Sequence, residues 1–119
     1  MISKIIPPKR MISPSSMEEI TDKVCEILEY NVDRLFENNR KYRNVVMRQL
    51  ITTIAWMKLN KPLREIGGHF WKRTSPHSAV IYSRKQVRDR YMYDIDFEMM
   101  IDPVLKFYDI TPKDIKSIR

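Results

Sequence analysis

"KPLREIGGHFWKRTSPHSAVIYSRKQV", residues 61–87, holds two periodic segments separated by a short polar break. In the first, Leu63, Ile66 and Phe70 recur at helical spacing, with Asn60 ahead as a cap and Pro62 in the first turn. In the second, Ser75 is a good N-cap and Pro76 a good first helical residue. Val80, Ser83, Val87 and Tyr91 then share one largely apolar face, while His77, Ile81, Tyr82 and Lys85 occupy the other. Gly67 and Gly68, the chain's two glycines, cost roughly 1 kcal/mol each relative to alanine inside a helix. Glycine at such a place marks the close approach of another backbone. Two short helices joined by a tight turn, the second opening on polar and basic residues, make a helix-turn-helix outline.

Outward from this pair the other segments also read as helices. "SSMEEITDKVCEIL" (15–28) has a capping box in Ser16 and Glu19 and an inward stripe of Ile20, Val24, Ile27 and Leu28. "YNVDRLF" (30–36) is expected to turn and then place Val32, Leu35 and Phe36 in the core. "ENNRKYRN" (37–44) is polar and cationic without apolar period, hence a loop. A longer helix is expected from about Val45 to Leu59, with Val46, Leu50, Ile54 and Met57 on one face; Trp56 fits core or interface. Towards the C-terminus, Asp94 or Asp96 caps a helix containing Phe97, Met100 and Ile101, which Pro103 should end or kink. "TPKDIKSIR" is a final turn capped by Thr111, with Pro112 first and Asp114 in the first turn. The reading is an all-α small bundle: a flexible tail (1–15), one domain (16–108) and a C-terminal extension (109–119).

Composition narrows the function. At 119 residues and 43% hydrophobic content the chain suits one small folded domain. One cysteine, Cys25, forbids an intramolecular disulfide and points to a reducing, cytoplasmic compartment. No apolar run approaches the ~20 residues of a membrane span. The net charge of +7 is unevenly placed: residues 38–90 carry thirteen cations against two acids, Glu65 and Asp89. Such a concentrated excess is the footprint of a polyanion. No HExxH, paired CxxC or compact carboxylate cluster supports a metal nuclease, and the acids read as caps, so no catalytic residue, metal or cofactor is expected.

Five pieces stand in a particular order: "ITDKVCEILEYNVDRLF", the basic "NNRKYR", Arg48-Gln49 in "VVMRQLITTIAWMKL", "LREIGGHF", and "RTSPHSAV" followed by "VRDRYMYDIDFEMMI". Over about residues 17–105 this order resembles the C-terminal DNA-binding domain of DnaA, the bacterial chromosomal replication initiator. The resemblance implies a Trp-repressor-like helix-turn-helix whose recognition helix enters the major groove, while an arginine of the basic loop enters the minor groove. By position, Arg40 matches that arginine, with Lys41 and Arg43 beside it. His77 and Ser78 match the base-reading histidine and threonine. Arg48 and the start of the "KPLREIG" helix, with Lys61 and Arg64, match phosphate-holding places. The sequence departs from the family pattern in three ways: two extra residues between Phe70 and Val80, Pro76 where an acid is usual, and Ala79 in place of a second threonine.

The residues argue in the same direction by themselves. Side chains at the amino end of a major-groove helix touch base edges, and the amides there favour phosphate. His77 and Ser78 can donate or accept, Ala79 can press a thymine methyl, and Ile81 extends that face. Lys72, Arg73, Thr74, Ser75 and Lys85 suit phosphates. Arginine in a narrow minor groove gains from the enhanced negative potential there. The partner expected is therefore double-stranded DNA at the nucleoid, with replication proteins as further candidate partners and no membrane; a monomer suffices for such binding, and the residues leave the oligomeric state open. No GxxxxGK[ST] loop is present, so this chain carries no ATP-driven module. A stand-alone copy would suggest a phage, plasmid or other mobile element; a fragment of a longer protein is the alternative. Transcriptional regulation on the same fold, or an interaction module antagonising a full-length initiator, are the alternatives.

Overall fold

The computed structural model describes residues 14–37, 41–71 and 75–119, and among them there are seven helices and no strand. These are α1 (Met17–Leu28), α2 (Val32–Leu35), α3 (Tyr42–Lys58), α4 (Leu63–Gly68), α5 (Pro76–Tyr93), α6 (Ile95–Phe107) and α7 (Pro112–Lys116). The all-α helix-turn-helix class is what the chain adopts. Most of the expected N-terminal tail, together with Arg40, Lys72, Arg73 and Thr74, lies outside the described residues.

α3 is the hub. It packs against α1, α2, α4 and α5, and α5 in turn packs on α4, α6 and α7. Val46, Leu50 and Ile54 are buried as their spacing predicts, but so are Asn44, Arg48, Gln49, Thr52 and Thr53 around the rest of the helix. Each of these polar groups is satisfied, as burial requires. The Tyr30 hydroxyl donates to Asn44 Oδ1. Arg90 Nη1 donates to Gln49 Oε1. The Thr53 hydroxyl turns back onto the Gln49 carbonyl at 2.9 Å. The Thr52 hydroxyl donates to the Arg48 carbonyl (2.7 Å) and accepts from Trp71 Nε1 (3.2 Å). Buried polar residues on one helix thus fasten three other parts of the chain to it.

α3 and α5 run in opposite senses. Arg90 reaches Tyr42 and Gln49 near the start of α3, whereas the Arg84 guanidinium lies 3.7 Å from the ring centre of Trp56 near its end. The predicted stripe of α5, Val80, Ser83, Val87 and Tyr91, is buried throughout.

Several local expectations are corrected. Ser16 caps α1 by accepting from the Glu19 amide, but the Glu19 carboxylate bonds the amide and hydroxyl of Ser15 rather than closing a box on Ser16. Phe36 is 53% exposed rather than in the core, packing edge-on to His69 and tilted against Phe70. α3 begins at Tyr42, inside the segment read as loop. Pro62, not Asn60, stands at the N-cap position of α4. Asp94 caps α6 through the Phe97 amide, and the helix continues through Pro103 to Phe107. Proline is tolerated there because the bond it cannot donate falls on a face where Met99 and Pro103 are both exposed.

After α6 the chain turns through Asp109, at positive φ, and closes the capping box of Thr111 and Asp114 that starts α7. Ile110, Ile115 and Ile118 are buried in the common core. Arg88 Nη1 donates to the Ile118 carbonyl at 2.9 Å, and Arg84 Nη2 to that of Arg119 at 3.1 Å. Residues 109–119 therefore brace the side of α5 that faces the protein.

Candidate nucleic-acid interface

The amino end of α5 is set by a backbone contact. A β-carbon built on Gly67 would lie 2.3 Å from the carbonyl oxygen of Pro76, so α4 and α5 meet where only glycine fits; around Gly68 there is open space. Ser75 occupies the N-cap position without a side-chain cap bond. The first amide to close an intrahelical bond is that of Ala79, onto the Ser75 carbonyl at 2.9 Å. The amides of His77 and Ser78 precede it, and a helix start of this kind directs its orphan donors outward.

Along α5 the side chains sort by face. His77, Ser78, Ile81, Tyr82 and Lys85 are exposed, Ile81 to 42% and Tyr82 to 59%. His77 and Ser78 make no side-chain hydrogen bond among the described residues. Tyr82, for which the spacing left stacking or core cover open, stands outside with this group. Ala79 does not: it is only 5% exposed, because it lies one position before Val80 on the edge of the buried stripe. The thymine-methyl role expected of Ala79 is corrected accordingly, and Ile81 is the apolar residue that faces outward.

The phosphate role expected of Arg48 is also corrected. This side chain is 7% exposed, its Nε donating to the Leu35 carbonyl and its Nη2 to the Glu37 carbonyl, both at 2.7 Å. Burial holds its pKa below the ordinary guanidinium value, opposed by the nearby Tyr30 and Glu37. Arg48 thus ties α3 to the residues that lead into the basic loop. Trp71, which follows α4 in the chain, is likewise tied to α3 through Thr52. The spacing assigns no such positioning role to Gln49, Thr52, Trp71 or Arg90; for the α3 residues the available signal is a run of polar side chains within the longer helix expected over 45–59.

The other described cations expected at DNA lie outside. Lys41, Arg43, Lys61, Arg64 and Lys85 are exposed, and of these Arg43, Lys61, Arg64 and Lys85 form no ion pair among the described residues. Arg88 pairs with its neighbour Asp89 at 3.0 Å. Lys61 and Arg64 flank the start of α4, which packs on α5. Lys41 and Arg43 belong to the start of α3, at the far end of the antiparallel pair from His77. Arg43 shares a hollow with Asp94 and Asp96 there. No group of three or more potential metal ligands and no helix long and apolar enough to cross a membrane is found among the described residues.

Comparison with known proteins agrees with this geometry. The family model described as the bacterial dnaA protein helix-turn-helix matches residues 17–87, from the start of α1 to the middle of α5. No curated protein and no solved structure matches the chain.

Proposed function

The chain belongs to the bacterial DnaA helix-turn-helix family, and we propose that it binds particular double-stranded DNA sequences in replication initiation or its regulation, without hydrolysing nucleotide itself. The observation that carries this reading is the exposed amino end of α5, with His77 and Ser78 outward and the helix fixed by Gly67 against Pro76. His77, Ser78 and Ile81 take the base edges, while Lys61, Arg64, Ser75 and Lys85, with Lys72, Arg73 and Thr74, take phosphates. Occupation of operator sites by a regulator would use the same surface.

Dimensions support a two-groove contact. From His77 to Arg90, beside the start of α3, is thirteen residues of α5, roughly 20 Å at about 1.5 Å per residue. Successive major and minor grooves lie about 17 Å apart, half of the ~34 Å turn of the duplex. A helix start in the major groove and Lys41 with Arg43 in a neighbouring minor groove are compatible with that span, and by its place in the sequence Arg40 is proposed to enter with them.

Selection from a pool of random duplexes tests the reading. Recovery of one short motif, with affinity falling steeply as salt rises, is the expected outcome. A salt-insensitive interaction removes the nucleic-acid reading, and failure to recover any motif removes specificity.

A further inference from the structure

The turn between α1 and α2, α2 itself and the start of α3 wall a hollow of about 450 Å³. Three cations line it, Arg34 of α2 with Lys41 and Arg43, against a single acid, Glu29. Arg34 is exposed and forms no ion pair or side-chain hydrogen bond among the described residues. The walls are braced: the Tyr30 hydroxyl donates to Asn44 Oδ1 and so ties the turn to α3. Asn31 Oδ1 accepts from the Asp33 amide at 2.9 Å, which leaves its NH2 as a further donor. On the α6 side, Arg43 borders the other hollow, where Asp94 and Asp96 match it. The unbalanced positive charge therefore lies towards Arg34.

These features discriminate among occupants. Six of the seven lining residues are charged or carry a carboxamide, whereas a small-molecule site is mostly apolar with few polar groups. Such a surface suits an anion held from one side, as a phosphate of a nucleic acid backbone is. The minor groove of a duplex is about 6 Å wide, with a phosphate backbone along each edge. A chain segment that enters it therefore brings its neighbouring side chains against those edges. Arg34 is such a neighbour, because it shares one hollow with Lys41 and Arg43.

We infer that Arg34 holds a backbone phosphate at the edge of the minor groove that Lys41 and Arg43 enter, outside the base pairs met by the amino end of α5. This contact rests on the DNA binding proposed above and adds to it an anchor on α2. It fixes register on the duplex and carries no sequence information of its own.

Single neutral methylphosphonates, placed one at a time along both strands of a selected duplex, test it with the intact chain. Arg34→Gln, at an exposed position, should weaken binding to every duplex by roughly three- to tenfold and lower the salt slope by about 0.9. It should also abolish the penalty of one methylphosphonate, about half a helical turn from the base pair that His77 meets. Arg34→Lys should restore most of the affinity. Lys116→Gln, the same loss of charge on α7, should leave slope and penalties unchanged. An Arg34→Gln chain with wild-type slope, or one that keeps every methylphosphonate penalty, overturns the contact and leaves DNA binding standing. A wild-type chain that binds no duplex overturns the reading beneath it as well. Inorganic pyrophosphate distinguishes the source of the phosphate. Saturable amide shifts at 29–34 and 41–44 with pyrophosphate, and none there with duplex, would assign the hollow to a free anion and overturn the proposal.

Discussion

The α-carbon of Gly67 faces the backbone of Pro76 so closely that a β-carbon at position 67 would sit 2.7 Å from the Pro76 α-carbon. That contact fixes where α5 starts relative to α4, and with it the outward aim of His77 and Ser78. Gly67→Ala should therefore destabilise the fold by about 1–3 kcal/mol or more, since the obstacle is backbone and cannot rotate away. Gly68→Ala, next door in open space, should be neutral or gain up to about 1 kcal/mol from helix propensity. Urea unfolding of the two variants checks the contrast; equal effects would mean that the glycines matter only through propensity.

Arg48 gives a second separable prediction. Arg48→Met removes two hydrogen bonds to carbonyls and leaves that of the buried Leu35 without its donor, so stability should fall by about 2–3 kcal/mol. The salt slope of DNA binding should stay unchanged in the folded variant, because a buried guanidinium displaces no counterion. A slope smaller by about 0.9 would instead restore Arg48 to the phosphate contacts.

The C-terminal segment is structural on this account. Ile115, 1% exposed beneath α5, should cost about 2–5 kcal/mol on replacement by alanine. Loss of residues 110–119 should remove the carbonyls that hold Arg84 and Arg88 and lower the unfolding midpoint further. Unchanged thermal unfolding in either variant would show that α7 is not part of the cooperative unit.

Cys25 reports on alkaline stability. Burial, with a lesser push from Asp22, raises its thiol to about 11. The unfolded thiol ionises near ~8.5. Stability supplied by the neutral buried thiol is thus complete below about 8.5 and is lost as pH rises towards 11. Tyr108, raised by burial to about 12, adds loss of the same sign at higher pH. Alkylation of Cys25 in the native chain at neutral pH should be slow and should accelerate with urea; rapid native labelling would contradict its burial.

Much of this arrangement was legible in the residues. The stripe of Val80, Ser83, Val87 and Tyr91 identifies the inner face of α5 because one helix side packs on the core while the other meets solvent. Gly67 announces a close approach for the same local reason. The burial of Arg48 was not legible: α3 is enclosed on nearly all sides, so polarity no longer marks its outside, and only tertiary partners show why an arginine belongs there. Ala79 failed similarly, lying one position from a stripe whose width depends on how deeply α5 sinks between α3 and α4. The isoleucines of 109–119 carry no mark of their destination in the sequence, because α5, against which α7 packs, lies far back along the chain.

The most direct test compares His77→Ala and Arg64→Ala on a selected duplex, on single-base variants of it and on random duplex. Replacing His77 should flatten discrimination at one base pair by about 1–3 kcal/mol and leave random-sequence affinity nearly intact. Replacing Arg64 should weaken every duplex alike and reduce the salt slope by about 0.9. If the two variants lose affinity in the same way across all sequences, the amino end of α5 does not read bases, and the account fails at its centre.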